Sequence, residues 1–135
     1  MDAVALPKRW VLWVGRILST APILMLLLSA FMKLTRQPQY VEQVVGKFGY
    51  AESALAGIAM LEIACVVLYA VPNTAVLGAV LLTGYLGGAI STHVRVADNG
   101  FLVPLILGVL VWTGLYLREE RLRALLPLRK PAAGR

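Results

Sequence analysis

The sequence is poor in the residues on which most enzymatic chemistry depends. Its 135 residues include one cysteine, Cys65, and one histidine, His93. A single cysteine excludes an intrachain disulfide and a CxxC redox pair, and inside an apolar stretch it reads as a small buried hydrophobe. A single histidine without cysteine companions leaves no ligand set, so no metal site is expected. Charged residues make up only 15% of the chain, with seven acidic against thirteen basic. GxGxxG, Walker, GxSxG and HExxH patterns are all absent. Conventional nucleotide, serine-hydrolase or zinc chemistry therefore has no support.

Apolar sequence is what the chain has in excess. Hydrophobic residues account for 59%, against roughly 45–50% in an ordinary soluble domain, and the mean hydropathy is +0.77. A soluble domain of this size leaves about a third of its unfolded surface exposed after folding. So much apolar surface calls for lipid as solvent. The formal charge of +6 does not signal nucleic acid. Six basic residues lie from Arg118 onward, and Lys8 and Arg9 precede the first apolar run. Basic flanks of this kind anchor membrane segments to anionic headgroups. Membrane lipids are the expected surroundings, and nucleic acid is not an expected partner.

The pattern predicts one all-α integral membrane domain over residues 1–135, a four-transmembrane-helix bundle with a short amphipathic helix between helices 1 and 2. Spans are expected at about 10–32, 51–71, 74–92 and 101–117, followed by a basic tail, 118–135. The first span is too long for a cleavable signal and contains Arg16, with Trp10 and Trp13 suited to an interface; Pro22 is expected to bend it. Tyr40, Val41, Val44, Val45 and Phe48 recur at helical spacing between Pro38 and Gly49, which predicts a short amphipathic helix lying on the membrane surface or plugging the bundle mouth. Pro72-Asn73 is a tight turn between antiparallel helices. Gly84 and Gly88 form a GxxxG, with Gly87 and Ser91 at the same spacing beside it. Small residues let helices approach closely in lipid; packing against a neighbour within the bundle is expected here, with a dimer interface as the sharper alternative. Pro104 falls in the first turn of the last span, and Trp112 and Tyr116 share one face. Eight basic residues flank the termini against four on the opposite side. That favours a multi-pass protein of the plasma (cytoplasmic) membrane with both termini cytoplasmic.

Glu62 is the costliest residue in this arrangement. It sits near the middle of AESALAGIAMLEIACVVLYAV, Ala51 to Val71, where a charged side chain costs roughly 2.5–3.5 kcal/mol on insertion scales. At about 1.5 Å per residue, Arg16 lies within one helical turn of it in depth. Arg16 is therefore the expected partner, because a guanidinium can grip a carboxylate bidentately. Tyr85 and Trp112 complete the intramembrane polar candidates. Lys33, Glu52, His93 and Arg95 are expected to cluster on the outer side, at the ends of three helices.

Several strings taken in order resemble the DoxX-like family of small four-helix membrane proteins, from about Ile17 to Leu126. They are SAFMKL (Ser29–Leu34), KFGYAES (Lys47–Ser53), MLEIACVVLYAVPNTAVLGAVLLTGYLGGA (Met60–Ala89), THVR (Thr92–Arg95) and VLVWTGLYLRE (Val109–Glu119). By this resemblance Lys33, Glu62 and His93 occupy polar positions of the family pattern, and no catalytic role comes with them. The broader family includes a small membrane subunit of a thiosulfate:quinone oxidoreductase, and relatives are linked to oxidative-stress complexes. The resemblance thus implies a quinone-linked or redox-related process, beside a partner redox subunit or in a homo-oligomer. A quinone or lipid-like ligand would lie near Glu62, Tyr85 and Trp112. The missing cysteine pair argues against thiol redox catalysis by this chain alone. Two other readings stay open: a structural or assembly protein whose polar residues only set register, and a small proton-coupled transporter. Small multidrug transporters carry their acid in the first span, however, and this chain carries it in the second.

Overall fold

The structure, a computed structural model, describes residues 8–128. The leader up to Pro7, and Arg129, Lys130, Pro131 and Arg135 of the basic tail, lie outside the described residues. Those described form an all-helical bundle. Helix α1 (Arg9–Leu34) runs without interruption through Pro22, whose ring is fully buried. Helix α2 (Pro38–Val41) continues directly into a π-helical turn, Glu42–Lys47. Its close is marked by the Phe48 N–H donating to the Gln43 carbonyl at 2.9 Å and by Gly49 at φ +78°, a conformation glycine adopts without a steric cost.

Helix α3 (Ala54–Ala70) is shorter than the expected 51–71, because residues 51–53 form a turn that leads into it. A 3₁₀ turn, Pro72–Thr74, links it to α4 (Ala75–Arg95), which runs three residues beyond the expected end. Helix α5 (Leu102–Arg118) carries Pro104 in its first turn, buried. The tail opens with α6 (Glu120–Leu125), begun by the Glu119 carboxylate accepting from the Arg121 N–H at 3.2 Å. Leu122 of α6 joins the core.

Four long helices pack as a ring in which α1 touches α3 and α5, and α4 touches the same two. Consecutive long helices are antiparallel, so the bundle has a proximal end, with Arg9, Ala70, Ala75 and Arg118, and a distal end, with Leu34, Ala54, Arg95 and Leu102. Among the described residues three segments are long and apolar enough to cross a membrane: α1, α4 with its preceding turn, and α5 with its own. Helix α3 is equally apolar but has 17 residues. The outward faces are apolar too, with Trp10, Ile17, Leu24 and Phe31 all at least 60% exposed. Isolated exposed apolar residues are ordinary on soluble proteins, but continuous apolar faces belong in lipid.

The proximal half is tightly packed. Tyr69 is fully buried; its hydroxyl donates to the Val111 carbonyl at 2.8 Å and lies 3.0 Å from Ser19 Oγ. Arg118 stacks 5.0 Å over the Tyr69 ring and donates to the Tyr69 carbonyl at 3.2 Å. Helices α1 and α5 cross at Gly15 and Gly114, where a Cβ on Gly114 would stand 2.8 Å from the Ser19 nitrogen. A Cβ on Gly78 would collide with the Tyr69 backbone. Close approach thus falls to Gly15, Gly78 and Gly114, and this corrects the expectation that Gly84, Gly87, Gly88 and Ser91 pack inside the bundle. All four are exposed, and a Cβ on any of the three glycines would meet nothing within 4 Å. The reason is geometric: Gly78 lies on the face of α4 that meets Tyr69 of α3, and at 3.6 residues per turn Gly84, Gly87 and Gly88 fall on other faces of the helix.

The distal end is closed by a lid of different character. Val44, Phe48 and Leu55 are buried in a separate small core, with Val41, Val45, Ile58 and Val96 packed on it. Residues 38–48 therefore plug the bundle mouth as a cap, one of the two placements their amphipathic spacing allows.

Candidate functional site

Lys33, in the last turn of α1, directs its side chain inward instead of out to the headgroups. Its ammonium lies 2.8 Å from Glu62 Oε2, with 9% and 1% of the two side chains exposed. Ser29, one turn earlier on the same face, accepts from it at 2.6 Å, and the Tyr85 hydroxyl is 3.4 Å away. The Tyr40 ring of the cap lies 5.7 Å from the same nitrogen. All three ammonium donors thus face oxygen atoms. That satisfaction makes a desolvated pair tolerable, since removing either charge from water costs several kcal/mol.

The expected Arg16–Glu62 pair does not form. Arg16 is exposed, and its guanidinium sits 5.3 Å over the ring of Trp13 on the same helix. Arg16 and Glu62 are at similar heights, yet Arg16 faces away from α3. Lys33 starts from the helix end and reaches down, its stem covering part of the roughly 12 Å that separates Glu62 from the distal end of α3. Helix azimuth and side-chain length decide the partner.

A cavity of about 550 Å³ opens around this pair, beneath the cap. That volume falls within the usual range of small-ligand sites, about 300–1,000 Å³. Its polar wall holds Ser29, Lys33, Tyr40, Glu62 and Tyr85, and its apolar wall includes Leu26, Ile58, Leu86 and Leu107. His93 and Asp98 line its distal part. There His93 Nδ1 is 2.6 Å from Asp98 Oδ2, and Lys47 of the cap is 3.2 Å from Asp98 Oδ1. The His93 hydrogen bond, and then that from Lys47, hold the Asp98 carboxyl below the usual carboxylate range. Phe48 meets the His93 ring edge-on at 4.8 Å. Gly100 fits against this pair so closely that a Cβ would stand 2.7 Å from both Asp98 and the imidazole.

The other candidates fall in different places. Tyr85 reaches the cavity, but Trp112 does not line it, and its indole N–H donates to Thr83 Oγ1 at 2.7 Å. The expected outer cluster is divided. Lys33 goes inward, Glu52 pairs with Arg36 on the surface at 2.6 Å, His93 turns to Asp98, and Arg95 donates to the Phe48 carbonyl. Ser29, Tyr40, Lys47 and Asp98 are site residues that sequence reasoning misses. Only Ser29 leaves a signal, since its four-residue spacing to Lys33 puts both on one helix face.

Among the described residues no group of three or more His, Cys, Asp or Glu is arranged to hold a metal ion. The central pair carries one charge of each sign. It therefore offers hydrogen-bond donors and acceptors without a net charge, which suits a neutral polar head better than an ion.

The sequence profile of the DoxX-like family matches residues 17–114, from α1 through most of α5. The matched region contains the whole cavity lining. No curated protein and no solved structure matches the chain.

Proposed function

The chain belongs to the DoxX-like family, and from that membership and its cavity we propose an integral membrane protein that binds a neutral, lipid-soluble molecule of quinone type. The observation that carries this reading is the buried Lys33–Glu62 pair in the wall of a cavity of about 550 Å³. A pair that only fixed helix register would need no space beside it. A ring carbonyl can accept from Lys33 or Tyr85, and a ring hydroxyl can donate to Glu62. The protein would then serve a quinone-linked or redox-related process as the membrane subunit or accessory of a partner redox protein.

All four apolar helices span the bilayer in this reading. Helix α3, at 17 residues, covers about 25 Å of a hydrocarbon core of about 30 Å, and the cap over its distal end makes up part of the difference. The basic flanks support a reading with the proximal end and both termini on the cytoplasmic side of the plasma membrane.

The test is native mass spectrometry with lipid extraction on detergent-purified protein, wild type beside Glu62→Gln. A quinone retained by the wild type and lost in the variant is the expected result. An empty bundle in both refutes the ligand reading. A second reading, assembly without catalysis, draws on the outward-facing Gly84, Gly87, Gly88 and Ser91. It predicts a stable partner, or a second copy, crosslinked through that face.

A further inference from the structure

We propose that the cavity is entered sideways from the lipid, between α3 and α4, and that this gap holds the apolar chain of a single-headed amphiphile whose neutral head meets Lys33, Glu62 and Tyr85. The identity of the head rests on the preceding reading; the route of entry does not.

The cavity wall is broken along the flank shared by α3 and α4. Gly84 and Gly88 of α4 line the cavity and are also exposed, with nothing within 4 Å of a Cβ on either. Opposite them on α3, Ile58 and Leu61 line it as well, and Leu61 is 55% exposed. Residues that belong both to a cavity wall and to the outer surface mark an opening: Tyr50 and Val103 do so at the distal rim, and Leu61, Gly84 and Gly88 mark the opening along α3 and α4. This opening lies between the proximal contact at Gly78 and the distal bridge in which the Tyr50 hydroxyl and Thr92 Oγ1 are 3.1 Å apart. Its rim is apolar and faces the hydrocarbon.

The aqueous route is obstructed by contrast. Val44 and Phe48 of the cap are 5% and 9% exposed. Beside them, Lys47, Asp98 and His93 tie the cap to the end of α4. A water-soluble molecule would have to break that network, whereas a lipid-soluble one meets only the missing side chains of two glycines. Cancellation of charge between Lys33 and Glu62 favours a neutral head, and the apolar rim favours a chain that stays in the membrane. Gly84 and Gly88, read from the sequence as part of a packing motif, are here the clearance for a ligand.

The experiment places a thiol inside the cavity, using Ser29→Cys in a Cys65→Ala background, with the full chain in liposomes. Labelling by lipid-soluble N-cyclohexylmaleimide is compared with labelling by a sulfonated, membrane-impermeant maleimide, each read by mass. The lipid-soluble reagent is expected to label and the sulfonated one to fail. Adding Gly88→Trp should abolish labelling, and adding Gly87→Trp, one position away and outside the cavity wall, should leave it unchanged. Gly88→Leu and Gly84→Leu serve if the tryptophan variant does not fold. Labelling that persists behind the blocked gap, faster labelling by the sulfonated reagent, or no labelling by either overturns the proposal. A missing quinone in the wild type with this labelling pattern intact would reject the quinone reading alone.

Discussion

Glu62 and Lys33 illustrate how an expensive residue is kept. Each ion alone would be destabilising in this interior, and together they are held by a 2.8 Å contact with Ser29 and Tyr85 close by. Breaking such a pair from one side leaves an uncompensated buried charge, at a cost of about 3–5 kcal/mol. Lys33→Met and Glu62→Leu should each lower stability by that order, read from unfolding in mixed micelles. The double variant should recover most of the loss, because an apolar pair removes both desolvation penalties. If the double variant is as unstable as the worse single one, the pair does not act as a unit. Tyr69 makes a similar point at the proximal end, where its buried hydroxyl holds α5 through the Val111 carbonyl.

Helix α4 has one face packed on α3 and another left bare, and its glycines divide accordingly. Gly78 lies against the Tyr69 backbone, and Gly87 lies against nothing. Gly78→Ala should therefore push the helices apart and cost about 1–3 kcal/mol, the usual range for overpacking. Gly87→Ala should be neutral or slightly stabilising, since alanine is the better helix former. Thermal unfolding of the two variants in the same detergent checks the contrast. Equal losses would mean that the stripe at Gly84–Ser91 is packed in solution, by a second copy or another chain.

Taken whole, the molecule joins a closely packed proximal half to a distal half roofed by a short amphipathic segment. Asp98 holds that roof by accepting from His93 and Lys47. Its carboxyl lies below the usual range because of those two partners, His93 first. The unfolded value is about 3.9, so this contribution is complete above about pH 4 and is lost as pH falls through the lower folded value. Hydrogen exchange of the amides from Val44 to Tyr50 should lose protection in that acid window. Asp98→Asn should weaken protection already at neutral pH and flatten the acid dependence. Glu52, ion-paired with Arg36 on the surface, is a second paired carboxylate close in sequence to the cap, so a Glu52→Gln background isolates the effect. If the wild-type cap keeps its protection in acid, or if Asp98→Asn leaves protection at neutral pH untouched, other contacts hold the roof.

Membrane residence, the order of the apolar helices, the short amphipathic segment and the costly position of Glu62 were all legible along the chain. Each depends on composition or periodicity, which are local properties of a sequence. Pro38, Gly49, Pro72 and Pro104 marked their turns correctly for the same reason. The choice of Lys33 over Arg16, the exposure of Gly84 and Gly88, and the bonding of Trp112 to Thr83 were not legible. Height along a helix can be counted in residues, but the direction in which a side chain points depends on how each helix is rotated against its neighbours. That rotation is set by contacts such as Gly78 on Tyr69 and Gly114 on Ser19, between residues that the chain brings together only on folding. The sequence by itself determined the solvent and the elements of this protein. Only the tertiary structure decided which charges meet, because that depends on packing distributed over the whole bundle.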